Sequence, residues 1–153
     1  MNRIGHGYDF HRFSPNRRLV LGGVEIPYEY GLLGHSDADA LVHAIIDALC
    51  GAVGLPDIGE LYPDSNPRYK DADSLELLQD IKWRLDDMNI RISNIDCTII
   101  ADAPKFSPYK KEMARKIADA LGIGYNQVNI KAKTEEGLGG EGIAVHAVGL
   151  VVV

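Results

Sequence analysis

The sequence predicts an α+β fold, a single sheet with helices packed on one face. Three observations carry that prediction. An opening hairpin pattern gives way to strand–helix–strand units, so strands and helices are mixed along the chain. Several segments alternate apolar and polar residues with the period of two of a half-buried strand. Three others repeat apolar residues at helical spacing, two of them before a stopping glycine, Gly54 or Gly122.

Composition sets the outer bounds. The chain has 153 residues, 46% hydrophobic and 25% charged, close to an average soluble globular domain. That length favours one domain over residues 1–153, burying about 68–70% of the unfolded surface. There are enough apolar residues to exclude disorder. The longest strongly apolar run, Ala147 to Val153, is strand-sized and far short of the roughly 18–20 residues of a membrane span. A net charge of −6 argues against non-specific nucleic-acid binding. The basic clusters are short: Arg17-Arg18, Lys110-Lys111, and Lys131 with Lys133. Cys50 and Cys97 lack CxxC partners, which excludes a zinc ribbon or redox dithiol and predicts buried free thiols in a reducing compartment. The N-terminal residues show neither a signal peptide nor a transit peptide, so a cytoplasmic, bacterial protein is expected.

The elements follow in order. Arg3 to Phe13 alternates loosely and reads as a strand. Leu19-Val20-Leu21, Gly22-Gly23 and Val24-Glu25-Ile26 read as a hairpin with a Gly-Gly turn. Ser36-Asp37-Ala38-Asp39 reads as a capping-box helix start, and the helix runs to about Val53. Its apolar stripe leaves His43 on the opposite, polar side. Leu55 to Lys70 is a loop rich in Pro, Gly, Asp and Asn, long enough to suggest function. Ser74 caps a second helix reaching about Met88. Ile90 to Ile100 is a strand, Pro108 to Leu121 a third helix, Gln127 to Lys133 a strand, and Ile143 to Val153 the last strand.

Chemistry concentrates near the N-terminus. Asp9 and His11 stand two apart on a strand, so their side chains share one face. With His43 they form a carboxylate–imidazole–imidazole set suited to zinc, with a fourth position open for water or substrate. On spacing alone, a turn aspartate and a surface histidine are the commoner source of this pattern. His35-Ser36 precedes the first helix, where backbone N–H groups and a hydroxyl suit a phosphate; Ser36 is equally read as a plain cap. Asp39 and Asp47 share the His43 stripe and could orient its ring or simply form an acidic face. Asp57, Gly59 and Asp64 lie in the long loop, where aspartates bind substrate hydroxyls or shape turns. Lys133-Thr134-Glu135-Glu136 follows a strand and offers oxygen ligands for a hard cation near phosphates. The glycines after it do not fit a P-loop, and serine-hydrolase and zincin motifs are absent.

Taken together, these segments resemble the 2-C-methyl-D-erythritol 2,4-cyclodiphosphate synthase family. The resemblance rests on Gly5-His6-Gly7-Tyr8-Asp9-Phe10-His11, Gly22-Gly23-Val24-Glu25-Ile26-Pro27 and Leu33-Gly34-His35-Ser36-Asp37. It continues through Asp57-Ile58-Gly59, Tyr62-Pro63-Asp64, Ala103-Pro104-Lys105, Lys131-Ala132-Lys133-Thr134 and Gly140-Glu141-Gly142-Ile143-Ala144, covering nearly the whole chain in order. It implies a homotrimer around a central cavity with active sites between subunits. It implies a cytidine diphosphate-linked substrate, 4-diphosphocytidyl-2-C-methyl-D-erythritol 2-phosphate, whose 2-phosphate attacks the β-phosphorus and expels CMP. By the same resemblance Asp9, His11 and His43 hold zinc, with Asp9 and His11 also counted among the substrate contacts. Glu136 helps hold magnesium or manganese. His35 and Thr134, counted as catalytic, bind phosphate oxygens together with Ser36. Asp57, Gly59 and Asp64 position the erythritol part, and Ala101, Ala103, Pro104 and Lys105 meet the cytidine end.

Two departures stand out. The family usually reads L-G-F-T-G-R-G-E-G-I-A where this chain has Leu138-Gly139-Gly140-Glu141-Gly142-Ile143-Ala144, four residues shorter and without the arginine. Lys133 stands where relatives often carry Thr, and it is a candidate to replace part of the missing positive charge. The shorter turn keeps open a binding-only relative of the synthases. A zinc phosphohydrolase is the third reading, disfavoured because no residue is placed as a general base.

Overall fold

A computed structural model describes all residues, Met1–Val153. The main sheet is mixed and has five strands in the order β4-β1-β7-β5-β6. The long β1 (Asn2–Pro15) pairs antiparallel with β7 (Gly142–Val152) from Asn2↔Val152 to Arg12↔Gly142. β7 in turn pairs antiparallel with β5 (Arg91–Ile100), which lies parallel to β6 (Val128–Lys133). A parallel pair needs a crossover, and α4 (Lys110–Leu121) supplies it. The helix ends where expected, on Gly122 at φ 62°.

The inner face of the sheet meets α1 (Ala40–Val53) and α4, and α3 (Ser74–Asp87) packs on those two helices, so the helices lie on one face as predicted. Ile95, Ile99 and Val145 from the strands pack with Leu41, Ile45, Leu78 and Ile117 from the helices. No helix is long and apolar enough to cross a membrane. Cys50 and Cys97 are free and buried, and burial pushes both thiols up to about 12.

Several expectations are corrected. The hairpin β2 (Leu19–Leu21) and β3 (Val24–Ile26) forms its own two-stranded sheet rather than joining a single one. A short strand, β4 (Tyr30–Leu32), pairs with the far end of β1 through Phe13↔Leu32. Three residues containing a glycine carry too little periodicity to be seen in sequence. The long loop contains a one-turn helix, α2 (Ile58–Leu61), and a 3₁₀ turn at Pro67–Tyr69. α1 begins at Ala40, with Asp39 rather than Ser36 as its cap. α3 is capped by Asp73, which accepts from the Leu75 N–H, and Ser74 is already helical.

Close packing of β1 on α1 positions the chemistry in the second half of the strand. A Cβ placed on Gly7 would lie 1.8 Å from the Ala44 carbonyl oxygen, and one on Gly5 1.9 Å from that of Ala48. Only glycine lets β1 approach the backbone of α1 so closely. That approach brings His43, the neighbour of Ala44, down onto Asp9 and His11.

Candidate active site

Asp9, His11 and His43 converge over the second half of β1. Asp9 Oδ2 lies 2.7 Å from His11 Nε2 and 3.3 Å from His43 Nδ1. One ligand atom from each residue falls within 4.8 Å of the others. The strand period places the first two on one face, and the close β1–α1 packing adds the third. His11 Nδ1 lies 2.7 Å from the Leu33 carbonyl, which can only accept. The His11 Nδ1 therefore carries a proton and donates, leaving Nε2 to face Asp9. Burial alone pushes the Asp9 carboxyl up, but the hydrogen bonds and charges of His11 and His43 outweigh it and hold Asp9 below its ordinary value. Burial likewise pushes the His11 imidazole down, and its contact with Asp9 reverses this to a net rise. An anionic oxygen between two imidazoles is a donor set that attracts a borderline divalent cation.

The cluster opens into a cavity of about 200 Å³. His35, Ser36, Gly59 and Asp64, four of the expected substrate contacts, line it. Ile58, Tyr62, Tyr69 and Leu77 also line it. In the sequence Tyr62 and Tyr69 figure only as parts of family-like segments, the latter in Tyr69-Lys70-Asp71-Ala72-Asp73-Ser74; Leu77 carries no functional signal, because a leucine at a cavity wall looks like core. Tyr62 is anchored by donating its hydroxyl to Asp80, which Arg84 also contacts at 3.1 Å.

The remaining side chains of α1 and its flanking loops are placed as follows. His43 is buried rather than on a polar stripe, because nearly every residue of α1 is buried. Asp39 does not orient its ring. Its carboxylate accepts from the N–H groups of Val42, Gly22 and Gly23, at 3.1, 2.9 and 2.7 Å, tying the hairpin to the helix start. That same carboxylate occupies the N-terminus of α1, so His35 and Ser36 meet the cavity from the preceding loop and not from a free helix end. Asp47 accepts from the Ile58 N–H at 2.8 Å and holds the long loop. Asp57 caps α2 through the Glu60 N–H at 3.0 Å and does not line the cavity.

A second group of expected site residues gathers elsewhere. Ala101 directly follows β5 and Lys133 ends the parallel β6, and the Ala101 N–H donates to the Lys133 carbonyl at 3.0 Å. Ala103, Pro104, Lys105, Thr134 and Glu136 follow them in loops, with a cis peptide at Ala103–Pro104. None of these lines the cavity holding Asp9, His11 and His43. Asp102, which carries no functional signal in the sequence, accepts from the Glu135 N–H at 2.8 Å and joins the two loops. In the shortened turn the Leu138 N–H donates to the Glu135 carbonyl at 3.0 Å, and β7 starts at Gly142.

A helix-covered mixed sheet carrying an Asp–His–His cluster that opens into a cavity defines a candidate metal-assisted enzyme of the α+β class. Comparison with known proteins narrows this. The model of the YgbB family matches residues 2–152. A 2-C-methyl-D-erythritol 2,4-cyclodiphosphate synthase of Caldicellulosiruptor bescii is 58% identical over 155 residues, covering 99% of this chain and 99% of its own. A solved 2C-methyl-D-erythritol-2,4-cyclodiphosphate synthase in its CDP-bound form superposes with a TM-score of 0.92 at 34% identity, over 98% of this chain and all of that one. The bifunctional IspDF of Campylobacter jejuni gives a TM-score of 0.94 at 40% identity, over 99% of this chain but 42% of that longer one. The chain belongs to the 2-C-methyl-D-erythritol 2,4-cyclodiphosphate synthase family and is a lyase of that kind.

Proposed function

We propose that the protein converts 4-diphosphocytidyl-2-C-methyl-D-erythritol 2-phosphate into 2-C-methyl-D-erythritol 2,4-cyclodiphosphate and CMP, a step of non-mevalonate isoprenoid precursor biosynthesis in the cytoplasm. The observation that carries this reading is the Asp9–His11–His43 cluster opening beside His35 and Ser36, in a chain so similar to named synthases. Two imidazole nitrogens and one carboxylate oxygen fit zinc, and a single exposed carboxylate such as Glu136 beside phosphates fits magnesium or manganese. Bound there, such cations supply charge neutralisation and polarisation of phosphoryl oxygens.

The residues then have distinct tasks. His35, Ser36 and Thr134 hold phosphate oxygens and fix the line of attack. Asp57, Gly59 and Asp64 seat the erythritol part, Asp57 from the N-cap of α2 beside the cavity-lining Ile58. Ala101 to Lys105 receive the cytidine, and Lys133 adds positive charge. The 2-phosphate oxygen forms a bond to the β-phosphorus as the bridge to the α-phosphate breaks, and CMP departs with that electron pair. The second pKa of a phosphate monoester is about 6, so the nucleophile is already ionised near neutral pH. No protein base is needed, and positioning with charge neutralisation suffices.

We further infer a homotrimer in which one subunit supplies the Asp9–His11–His43 half of each site and a neighbour the Thr134–Glu136 half. Two features support this. The halves do not share a cavity within one chain, and the sheet face away from the helices exposes Ile4, Tyr8 and Phe10. The four-residue-shorter turn favours a second reading, a relative that binds metal and phosphoisoprenoid without turnover. Phosphorus NMR of the protein with the cytidine-linked substrate, zinc and magnesium tests both. A cyclic diphosphate with equimolar CMP is expected. Unchanged substrate with zinc-loaded protein overturns the synthase reading in favour of the second.

A further inference from the structure

We propose that Ser74, held by Asp37, is a positioning residue that fixes the tautomer of His43 and aims its Nδ1 lone pair into the Asp9–His11–His43 cluster. This rests on the reading of that cluster as a metal site.

Hydrogen-bond polarity determines the direction of each contact. Asp37 accepts from the backbone N–H groups of Asp39 at 3.1 Å and Ser74 at 2.9 Å. It also contacts the Ser74 hydroxyl. A carboxylate only accepts, so the Ser74 hydroxyl must donate its one proton to Asp37. Ser74 Oγ also lies 2.8 Å from His43 Nε2. Its proton is already committed, so there it accepts. Two acceptors thus compete for the one hydrogen of a neutral His43, Ser74 Oγ at 2.8 Å from Nε2 and Asp9 Oδ2 at 3.3 Å from Nδ1; the nearer one holds it on Nε2 and leaves the Nδ1 lone pair facing the cluster. His11 is set the opposite way, with Nδ1 donating to Leu33 and Nε2 facing the cluster. The two rings thus present different nitrogens to one point, each fixed by its own acceptor.

Nothing else in the fold requires the Ser74 hydroxyl. Asp73 already caps α3. Ser74 is wholly buried, and its two hydroxyl contacts both belong to this chain of bonds. Ser36 Oγ also faces His43 Nε2, at 3.2 Å, but it lines the open cavity and is assigned to a phosphate. Once Ser36 turns to substrate, Ser74 is the remaining acceptor. The relay spans the loop before α1, the start of α3 and the first turn of α1, so their relative placement is read out at the cluster.

The test compares wild type at position 74 with Ser74→Ala, Ser74→Thr and Asp37→Asn, all in a Ser36→Ala background that removes the other hydroxyl beside His43 Nε2, at one fixed alkaline pH. Nitrogen-detected imidazole NMR of metal-free protein reports the His43 tautomer, and chelator competition reports zinc affinity. Wild type is expected to show a single Nε2–H tautomer. Ser74→Ala is expected to mix the tautomers and weaken zinc binding about 10–100-fold, and Ser74→Thr to restore both. Asp37→Asn offers an amide donor to Ser74 Oγ, frees the hydroxyl proton toward His43 and mixes the tautomers as well. It carries the test should Ser74→Ala fail to fold. An unmixed Nε2–H tautomer with zinc affinity unchanged in the variants overturns the proposal. Wild type that binds no zinc overturns the metal-site reading instead, and the tautomer readout still judges the relay.

Discussion

The two halves of the expected site are built differently. Around Asp9, His11 and His43 the chain is packed: glycines bring β1 onto α1, His43 is buried, and both rings have fixed partners. Around Thr134 and Glu136 the chain is exposed loop, and the Glu136 N–H has only a 3.4 Å contact with Thr134 Oγ1. Packing pre-organises ligands that must meet a cation within tenths of an ångström. An exposed loop acquires its geometry from substrate or from a neighbouring subunit. Disturbing the first half should therefore alter stability and metal binding, and disturbing the second should alter turnover alone.

The largest effect is expected from Gly7→Ala. Its new methyl would collide with the Ala44 carbonyl, so α1 must lift off β1. Urea unfolding should show a loss of at least about 3 kcal/mol, together with loss of zinc retention. His43→Ala should remove zinc retention, beyond the roughly 100-fold expected for an outer-shell change, while leaving a folded protein by circular dichroism. Metal analysis with a product assay checks this, and normal zinc content would erase the distinction between the halves.

Acid–base linkage marks the packed half again. Burial pushes the Asp39 carboxyl up from 3.8 to about 6, in spite of three backbone donors. The folded protein thus keeps a proton that the unfolded chain releases, and stability falls as pH rises from about 4 to about 6. The slope integrates to about 1–3 kcal/mol from this group. Asp39→Asn should flatten that part of a stability–pH curve measured by urea titration. The smallest effect is expected from Glu136→Gln. Turnover should drop about tenfold through loss of one charge-assisted contact, with melting temperature and zinc content unchanged.

Legibility in the sequence follows the same division. The period of two puts Asp9 and His11 on one face without any structure, and the helix stops at Gly54 and Gly122 are plain. His43 is recognisable as a candidate ligand, but its burial is not, because local periodicity does not show that α1 is covered by sheet and by α3 together. Ser36 and Ser74 look like caps, since the adjacent Asp39 and Asp73 compete for that role and only three-dimensional placement decides between them. The relay from Asp37 through Ser74 to His43 joins residues 37, 74 and 43 from three elements, and no spacing rule connects them. The separation of Thr134 and Glu136 from the cluster is equally hidden, because strand order is a property of the whole sheet.

Sharing of each active site between two copies of the chain follows from the proposed function, and subunit mixing probes it without intermediaries. His43→Ala and a Thr134→Ala/Glu136→Gln double variant, each inactive alone, are dissociated, combined and reassembled, and product formation is followed by phosphorus NMR. Recovered activity is expected, because mixed trimers contain sites with both halves intact. Mixed trimers that form, as shown by differential tagging, yet stay as inactive as the parent variants would contradict shared sites.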